Sequence, residues 1–155
     1  MSEVKTQIIP HLGIRDALGA IEFYKKAFHA EQVTLLTAPD GFVMHVEMAI
    51  DGAPFYITGE LVEYGSHSPE SLGGTPVSIH LKVADCDAVY NQAVEAGCTV
   101  VIPIADMFWG DRYGSVKDPY GHQWSIATPK KQPSPEELHE AMLASMAEHK
   151  AEAAG

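Results

Sequence analysis

The chain has 155 residues, 46% of them hydrophobic, which is enough for one domain with its own core. Its net charge of −11 predicts an acidic surface that repels phosphate backbones, so nucleic-acid binding is not expected. No apolar run approaches the roughly 20 residues that cross a bilayer, and the N-terminus lacks the pattern of a signal peptide. These features predict a cytoplasmic protein with no membrane partner.

The first part of the chain predicts the element order βαβββ. Residues 7–14 alternate in hydrophobicity as a strand does. Asp16 is a suitable N-cap for the helix that follows, in which Ile21, Tyr24 and Phe28 recur at helical spacing. Three further strands are predicted at 32–37, 42–50 and 55–58, separated by the turn sequences Pro39-Asp40-Gly41 and Asp51-Gly52.

The order βαβββ then recurs after a stretch rich in Ser, Gly and Pro at 60–75, which predicts a linker. Asp85 caps the second predicted helix, and Gly97 ends it. Cys86 and Cys98 lie at opposite ends of this helix, too far apart for a disulfide, which agrees with a reducing cytoplasm. Strands are predicted at 76–83, 99–104, 113–117 and 123–127.

A constant offset of 69 positions relates the two halves. It relates residues of a strand, a helix cap and a turn, in the pairs His11/His80, Asp16/Asp85 and Gly52/Gly121. The sequence therefore predicts two modules of the same architecture, at 5–59 and 76–128.

A last helix is predicted at 134–149, because Ser134 and Glu137 can form a capping box around Pro135. Its apolar stripe of Leu138, Met142 and Met146 is too narrow for a buried helix. We expect this helix to lie on the domain or on a partner subunit, and to fray after about residue 147.

Three motifs resemble the vicinal oxygen chelate superfamily, which includes glyoxalase I, bleomycin-resistance proteins and extradiol dioxygenases. They are PHLGIRDALGAIEFYKKAF at 10–28, GGTPVSIHLKVADCDAVY at 73–90 and DMFWGDRYGSVKDPYGHQWSIAT at 106–128. The resemblance implies an α+β fold of two βαβββ modules, whose cupped mixed sheets surround a pocket. His29 departs from the Gly that is usual in this branch, and we expect it to adopt the left-handed conformation.

The resemblance also implies four metal ligands, which are His, Gln or Glu on the first and last strands of each module. The matching positions here are Ile9, Tyr56, Ser78 and Ser125. None is a histidine or a carboxylate, and hydroxyls bind divalent ions weakly. We therefore expect no metal cofactor of the glyoxalase type.

A displaced metal site is the alternative. His11 and His80 lie two residues beyond the empty positions on the same strand faces, and they are equivalent under the repeat. His45 and Glu47 point to that side if the alternating apolar residues of their strand face the helix. His11, His80 and Glu47 would then form a sensible ligand set for a divalent metal, or either repeat-related histidine could serve as a catalytic base.

Further ligand contacts are predicted on the second module. Trp109 and Tyr113 could stack on a flat ligand while Arg112 pairs with an anion, or Arg112 could instead pair with Asp111 or Asp118 and stiffen the loop. The hydroxyls of Tyr56, Ser78 and Ser125, together with His45 and Glu47, complete the predicted substrate-binding set. His122 is expected to bond locally after its turn.

Three functions fit these observations. The first is a metal-independent protein that binds a small molecule in the pocket between the modules. The second is a lyase or isomerase of the glyoxalase type that uses His11 or His80. The third is a non-catalytic dimeric scaffold. Open strand edges predict a homodimer in each case.

Overall fold

Two βαβββ modules follow one another in the computed structural model, which describes residues 3–154. The first module consists of β1 (His11–Ile14), α1 (Ala17–Phe28), β2 (Glu31–Thr37), β3 (Val43–Ile50) and β4 (Ala53–Gly59). A short helix, α2 (Pro69–Leu72), lies between the modules. The second module consists of β5 (Ser78–Lys82), α3 (Cys86–Ala96), β6 (Thr99–Asp106), β7 (Asp111–Lys117) and β8 (Gln123–Pro129), and α4 (Pro135–Ala154) follows it. The predicted α+β class and the order of elements are confirmed.

Each module forms a four-stranded mixed sheet, with the strand orders β1-β4-β3-β2 and β5-β8-β7-β6. The first strand of each module runs parallel to the last, and the other pairs are antiparallel. His11 is the register partner of Tyr56, and His80 is the register partner of Ser125. Tyr56 and Ser125 differ by 69 positions, as His11 and His80 do. The two modules therefore share their strand register as well as their order of elements.

The predicted capping residues act as caps. The Asp16 carboxylate accepts a hydrogen bond from the Gly19 amide at 3.0 Å, and the Asp85 carboxylate accepts one from the Ala88 amide at 3.2 Å. His29 ends α1 with φ 54° and ψ 33°, which confirms the expected left-handed conformation. These local signals fix where both helices begin and where α1 ends.

The first strand is shorter than predicted, since it begins at His11 instead of residue 7. Pro10 lacks an N–H and contributes only its carbonyl oxygen, which accepts a bond from the Tyr56 amide at 2.8 Å. Ile8, whose alternation suggested a buried strand position, is 96% exposed.

The shared core lies on the side of both sheets that α1 and α3 cover. These two helices pack against each other, and the rings of Tyr24, Phe28 and Phe55 surround the indole of Trp124 at centroid distances of 4.6–5.7 Å. All four of these residues are buried. Because this core holds the modules together from the convex sides, the concave face of each sheet opens outward to solvent.

A buried carboxylate, Asp118, connects the modules within this core. It accepts hydrogen bonds from the Tyr24 hydroxyl, from Trp124 Nε1 at 2.9 Å and from two amides of its own turn. His122 belongs to the same turn, but its imidazole does not bond locally as expected: Nε2 lies 3.0 Å from the carbonyl oxygen of Gly13 in the other module. The D-P-x-G turn is therefore a contact between modules as well as a hairpin.

The predicted linker is partly ordered by one side chain. The Glu60 carboxylate accepts hydrogen bonds from the Ser68 amide at 2.6 Å and the Ser71 hydroxyl at 2.7 Å. These bonds, together with Arg15, lower the pKa of Glu60 to about 2. The linker thereby follows a fixed path along the edge of the first sheet.

The C-terminal helix begins with the predicted capping box, since Ser134 and Glu137 exchange backbone–side-chain bonds at 3.2 and 3.3 Å. It continues to Ala154, beyond the predicted end at 149 and through the residues expected to fray. No residue of α4 is buried, so its apolar side chains stand open. Among residues 3–154, no helix is long and apolar enough to cross a membrane.

Candidate functional site

The concave surface of the first sheet, called face one here, carries His11, Tyr56, His45 and Glu47. Strand alternation puts them there, because the intervening residues Leu12, Ile57, Val46 and Met48 are buried on the helix side. Met44, by contrast, is 49% exposed and does not face the helix. The prediction that His45 and Glu47 share a side with His11 is therefore met by the register of β1, β4 and β3.

Three rings of face one form an edge-on cluster. The centroid distances are 5.9 Å for His11–His45, 5.7 Å for His11–Tyr56 and 4.7 Å for His45–Tyr56, with interplanar angles of 72–90°. The pKa of His11 is lowered by partial burial and, to a lesser degree, by the adjacent His45. The cluster consequently favours a neutral imidazole at His11 near neutral pH.

A pocket of about 290 Å³ adjoins this cluster, between β1 and the linker. His11, Thr58, Tyr64 and His67 contribute to its lining. The linker approaches closely because β1 has Gly13 at this point: a Cβ on Gly13 would lie 2.2 Å from the His67 carbonyl oxygen. His67 is thus a wall residue of the pocket beside face one, and it stays exposed to solvent.

Glu47 is the only carboxylate in the central row of face one, in register with Tyr56 on one side and Thr34 on the other. It is half-buried. Within the described residues 3–154, no side chain forms an ion pair or a hydrogen bond with it. Its charge is therefore available to a bound group.

The concave surface of the second sheet, called face two here, carries His80, Ser125, Ser115 and Tyr113. His80 Nδ1 lies 2.7 Å from the Ser125 hydroxyl, and its ring stacks on Tyr113 at a centroid distance of 6.1 Å and an angle of 22°. Ser125 and Ser115 are register partners and both are buried, whereas His80 is exposed. The imidazole is thus held by a buried hydroxyl and presented to solvent.

The predicted aromatic pair of the second module is assembled. The Trp109 ring lies 5.4 Å from Tyr113, and its Nε1 donates to Asp111 at 3.2 Å. Ser78, also predicted to contact ligand, lies in register with Gln123 at the end of β5 and is exposed.

Arg112 has other partners than either predicted carboxylate. Its guanidinium donates two bonds to Asp87, at 2.7 and 2.9 Å, and a third to Asp106 at 3.2 Å. These contacts raise the pKa of Arg112, and the guanidinium lowers the pKa of Asp87. The alternative in which Arg112 pairs with Asp111 or Asp118 was wrong. Asp87, an acidic residue in the first turn of α3, was the signal that sequence reasoning passed over.

The side chains described for a single chain, at residues 3–154, do not come together as a set that fits a metal ion. Within residues 3–154 there is no group of three or more His, Cys, Asp or Glu side chains that could hold one. His11 and Glu47 lie on face one and His80 lies on face two, so the displaced site is not assembled in one chain. At the usual ligand positions, Ile9 has no donor atom, and Ser125 is engaged by His80.

The fold and the two faces define a class: a two-module α+β protein that presents paired cupped sheets. The chain matches the model of the Glyoxalase/Bleomycin resistance protein/Dioxygenase superfamily over residues 8–126. It belongs to that superfamily, which confirms the resemblance seen in the sequence.

The comparisons give two kinds of relative. An uncharacterized protein of Mycobacterium bovis is 42% identical over 142 residues, covering 90% of this chain and 93% of that protein. Among solved structures, a gene product of Arabidopsis thaliana is 25% identical, with a TM-score of 0.63, covering 82% of this chain and 100% of that chain. The fosfomycin resistance protein FosX of Listeria monocytogenes is 15% identical, with a TM-score of 0.60, covering 88% and 99%. The likeness to FosX shows a common fold only.

Proposed function

We propose that this protein binds a small organic molecule without the metal quartet of its superfamily, and that a second copy of the chain completes the site. The observation that carries the proposal is the chemistry of the two concave faces. They hold imidazoles, phenols, hydroxyls and carboxylates, arranged on rigid strands and open to solvent. Such convergent polar and aromatic groups in a concavity are typical of ligand sites.

The case for a second copy rests on what one chain leaves uncovered. Every residue of β2 is exposed, and so are most residues of β6, its counterpart in the second module. Apolar side chains are among them, including Leu36 at 61% and Val101 at 45%. A two-fold dimer that sets face one against face two of its partner would cover both strands and enclose two equivalent sites.

Two measurements test this proposal together. Light scattering at micromolar concentration should give the mass of a dimer. A ligand-observed NMR screen of small aromatic and polar compounds should find saturable binders, equally well in protein treated with chelator. A monomer mass, or binding that appears only after Ni²⁺, Zn²⁺ or Mn²⁺ is added, would contradict it.

A glyoxalase-type lyase or isomerase is the second candidate, and one observation favours it. His11 has a lowered pKa, so its imidazole is neutral and able to accept a proton near pH 7. The test is turnover of dicarbonyl–thiol adducts by the native protein and by the His11→Ala and His80→Ala variants. Activity that persists in both variants, or no activity in any form, would rule this candidate out. Localisation to the cytoplasm stays a prediction.

A further inference from the structure

Face one combines a carboxylate with a ring cluster and has no cation of its own. Strands β1 to β4 contain no lysine or arginine at any position. The nearest arginine along the chain, Arg15, is engaged by Glu60 at 3.3 Å and Glu70 at 3.5 Å. The chain thus leaves the half-buried Glu47 without a counterion from its own module.

Leaving a partly buried carboxylate unpaired is unfavourable, because desolvation weakens its hydration and nothing replaces it. A bound cation would supply the counterion that the described residues 3–154 do not place on Glu47. Tyr56 stands beside it in register, and the Tyr56 ring packs against His45 and His11. Electron-rich ring faces attract an ammonium group, although they do not pair with a carboxylate.

We infer that face one binds an organic cation, a protonated amine, with Glu47 as its counterion and His11, His45 and Tyr56 as its aromatic walls. The inference rests on the proposed function, because it names the chemical class of the small molecule. It assigns Glu47 a direct contact with the ligand's charge. A carboxylate is the appropriate group, since it accepts strong charge-assisted hydrogen bonds from an ammonium.

Face two carries lysines, which face one lacks. Lys82 follows His80 by two residues on the same strand face, and Lys117 follows Ser115 in the same way. A lysine of a second copy is therefore the competing counterion for Glu47. The two counterions predict different results for the Glu47→Gln variant. If Glu47 binds an amine, the variant loses its preference for the amine; if Glu47 pairs with a lysine of the second copy, the dimer dissociates and the preference is unchanged.

The test uses three probes that share an indole ring and differ in charge: tryptamine, tryptophol and indole-3-propionate. Binding is measured at pH 8 by NMR titration of the histidine and tyrosine ring signals. Tryptamine should bind about tenfold more tightly than tryptophol, and indole-3-propionate should bind more weakly than either.

The variant Glu47→Gln should bring tryptamine to within about twofold of tryptophol. Glu95→Gln on the exposed side of α3 makes the same change in net charge, and it should leave the preference for tryptamine intact. Circular dichroism of each variant establishes that it is folded.

Three outcomes would overturn the inference: equal affinity for tryptamine and tryptophol in the native protein, a preference that survives in Glu47→Gln, or no binding of any indole. Dissociation of the dimer by Glu47→Gln with an unchanged preference would assign Glu47 to a lysine of the second copy instead. Tryptophol binding, or a hit from the wider ligand screen, keeps the proposed function intact in each of these cases.

Discussion

Replacing Tyr24 by Phe should weaken the junction between the modules by a measurable amount. Tyr24 is fully buried, and its hydroxyl donates to the buried carboxylate of Asp118. A hydrogen bond to a charged group contributes about 1.5–3 kcal/mol. Asp118 keeps the bonds from Trp124 and from two amides, so we expect a loss of about 2 kcal/mol in the free energy of unfolding. For a domain of this size that corresponds to a drop of roughly 4–8 °C in Tm.

The matched control is Tyr90→Phe in the other module. The Tyr90 hydroxyl donates to a neutral carbonyl, that of Ile102, at 3.5 Å, and within residues 3–154 it bonds to no carboxylate. Its loss should cost less than about 1 kcal/mol. Urea and thermal denaturation at pH 7, followed by circular dichroism and tryptophan fluorescence, give both values. If Tyr24→Phe cost no more than Tyr90→Phe, the role given to Asp118 in joining the modules would be refuted.

Three further predictions follow from local features. Burial, together with the charge of Asp118, raises the pKa of Tyr24 well above its usual 10. The stability that this phenol confers is therefore complete below pH 10 and declines as pH rises further. The decline in urea midpoint between pH 9 and 11 should be smaller in Tyr24→Phe than in the native protein. Both cysteines are free and buried, and burial raises the pKa of Cys98 to about 12, so a thiol reagent at pH 8 should label neither until the protein unfolds. His29→Gly should raise the unfolding free energy by about 0.5–1 kcal/mol in urea titration, because the left-handed conformation strains any residue with a Cβ; an unchanged or lower value would contradict this.

The parts of the fold that sequence reasoning predicted depend on short-range signals. Asp16 and Asp85 mark helix starts, because a short acidic side chain can bond only to the amides just ahead of it. The turn around Gly121 marks a hairpin because its φ of 93° suits glycine. The offset of 69 then predicts the strand register as well. Because the second module repeats the turns and helix caps of the first, its strands pair in the same way.

The contacts that sequence reasoning missed are made between elements distant along the chain. Asp111 and Asp118 lie closer to Arg112 along the chain than Asp87 does, and only the packing of α3 on β7 makes Asp87 a partner. His122 bonds to Gly13, 109 positions away, because α1 and α3 hold the two modules in one orientation. The length of α4 was underestimated because its last residues lack an apolar face, whereas alanine and glutamate favour a helix without one.

The two faces show how one backbone repeat gives two different chemistries. The central rows align His11 with His80, Tyr56 with Ser125, and Glu47 with Ser115. In face two the histidine is tied to a buried hydroxyl, and lysines flank the row; in face one the same positions hold a phenol and a carboxylate with no lysine or arginine in the sheet. Substitutions on the solvent side of a strand leave the core side untouched, so the two rows can diverge without cost to the fold. A ligand that spans both faces would therefore meet the Glu47 carboxylate at one end and lysines at the other. An amine that also carries an acidic group would pair with the carboxylate and with a lysine.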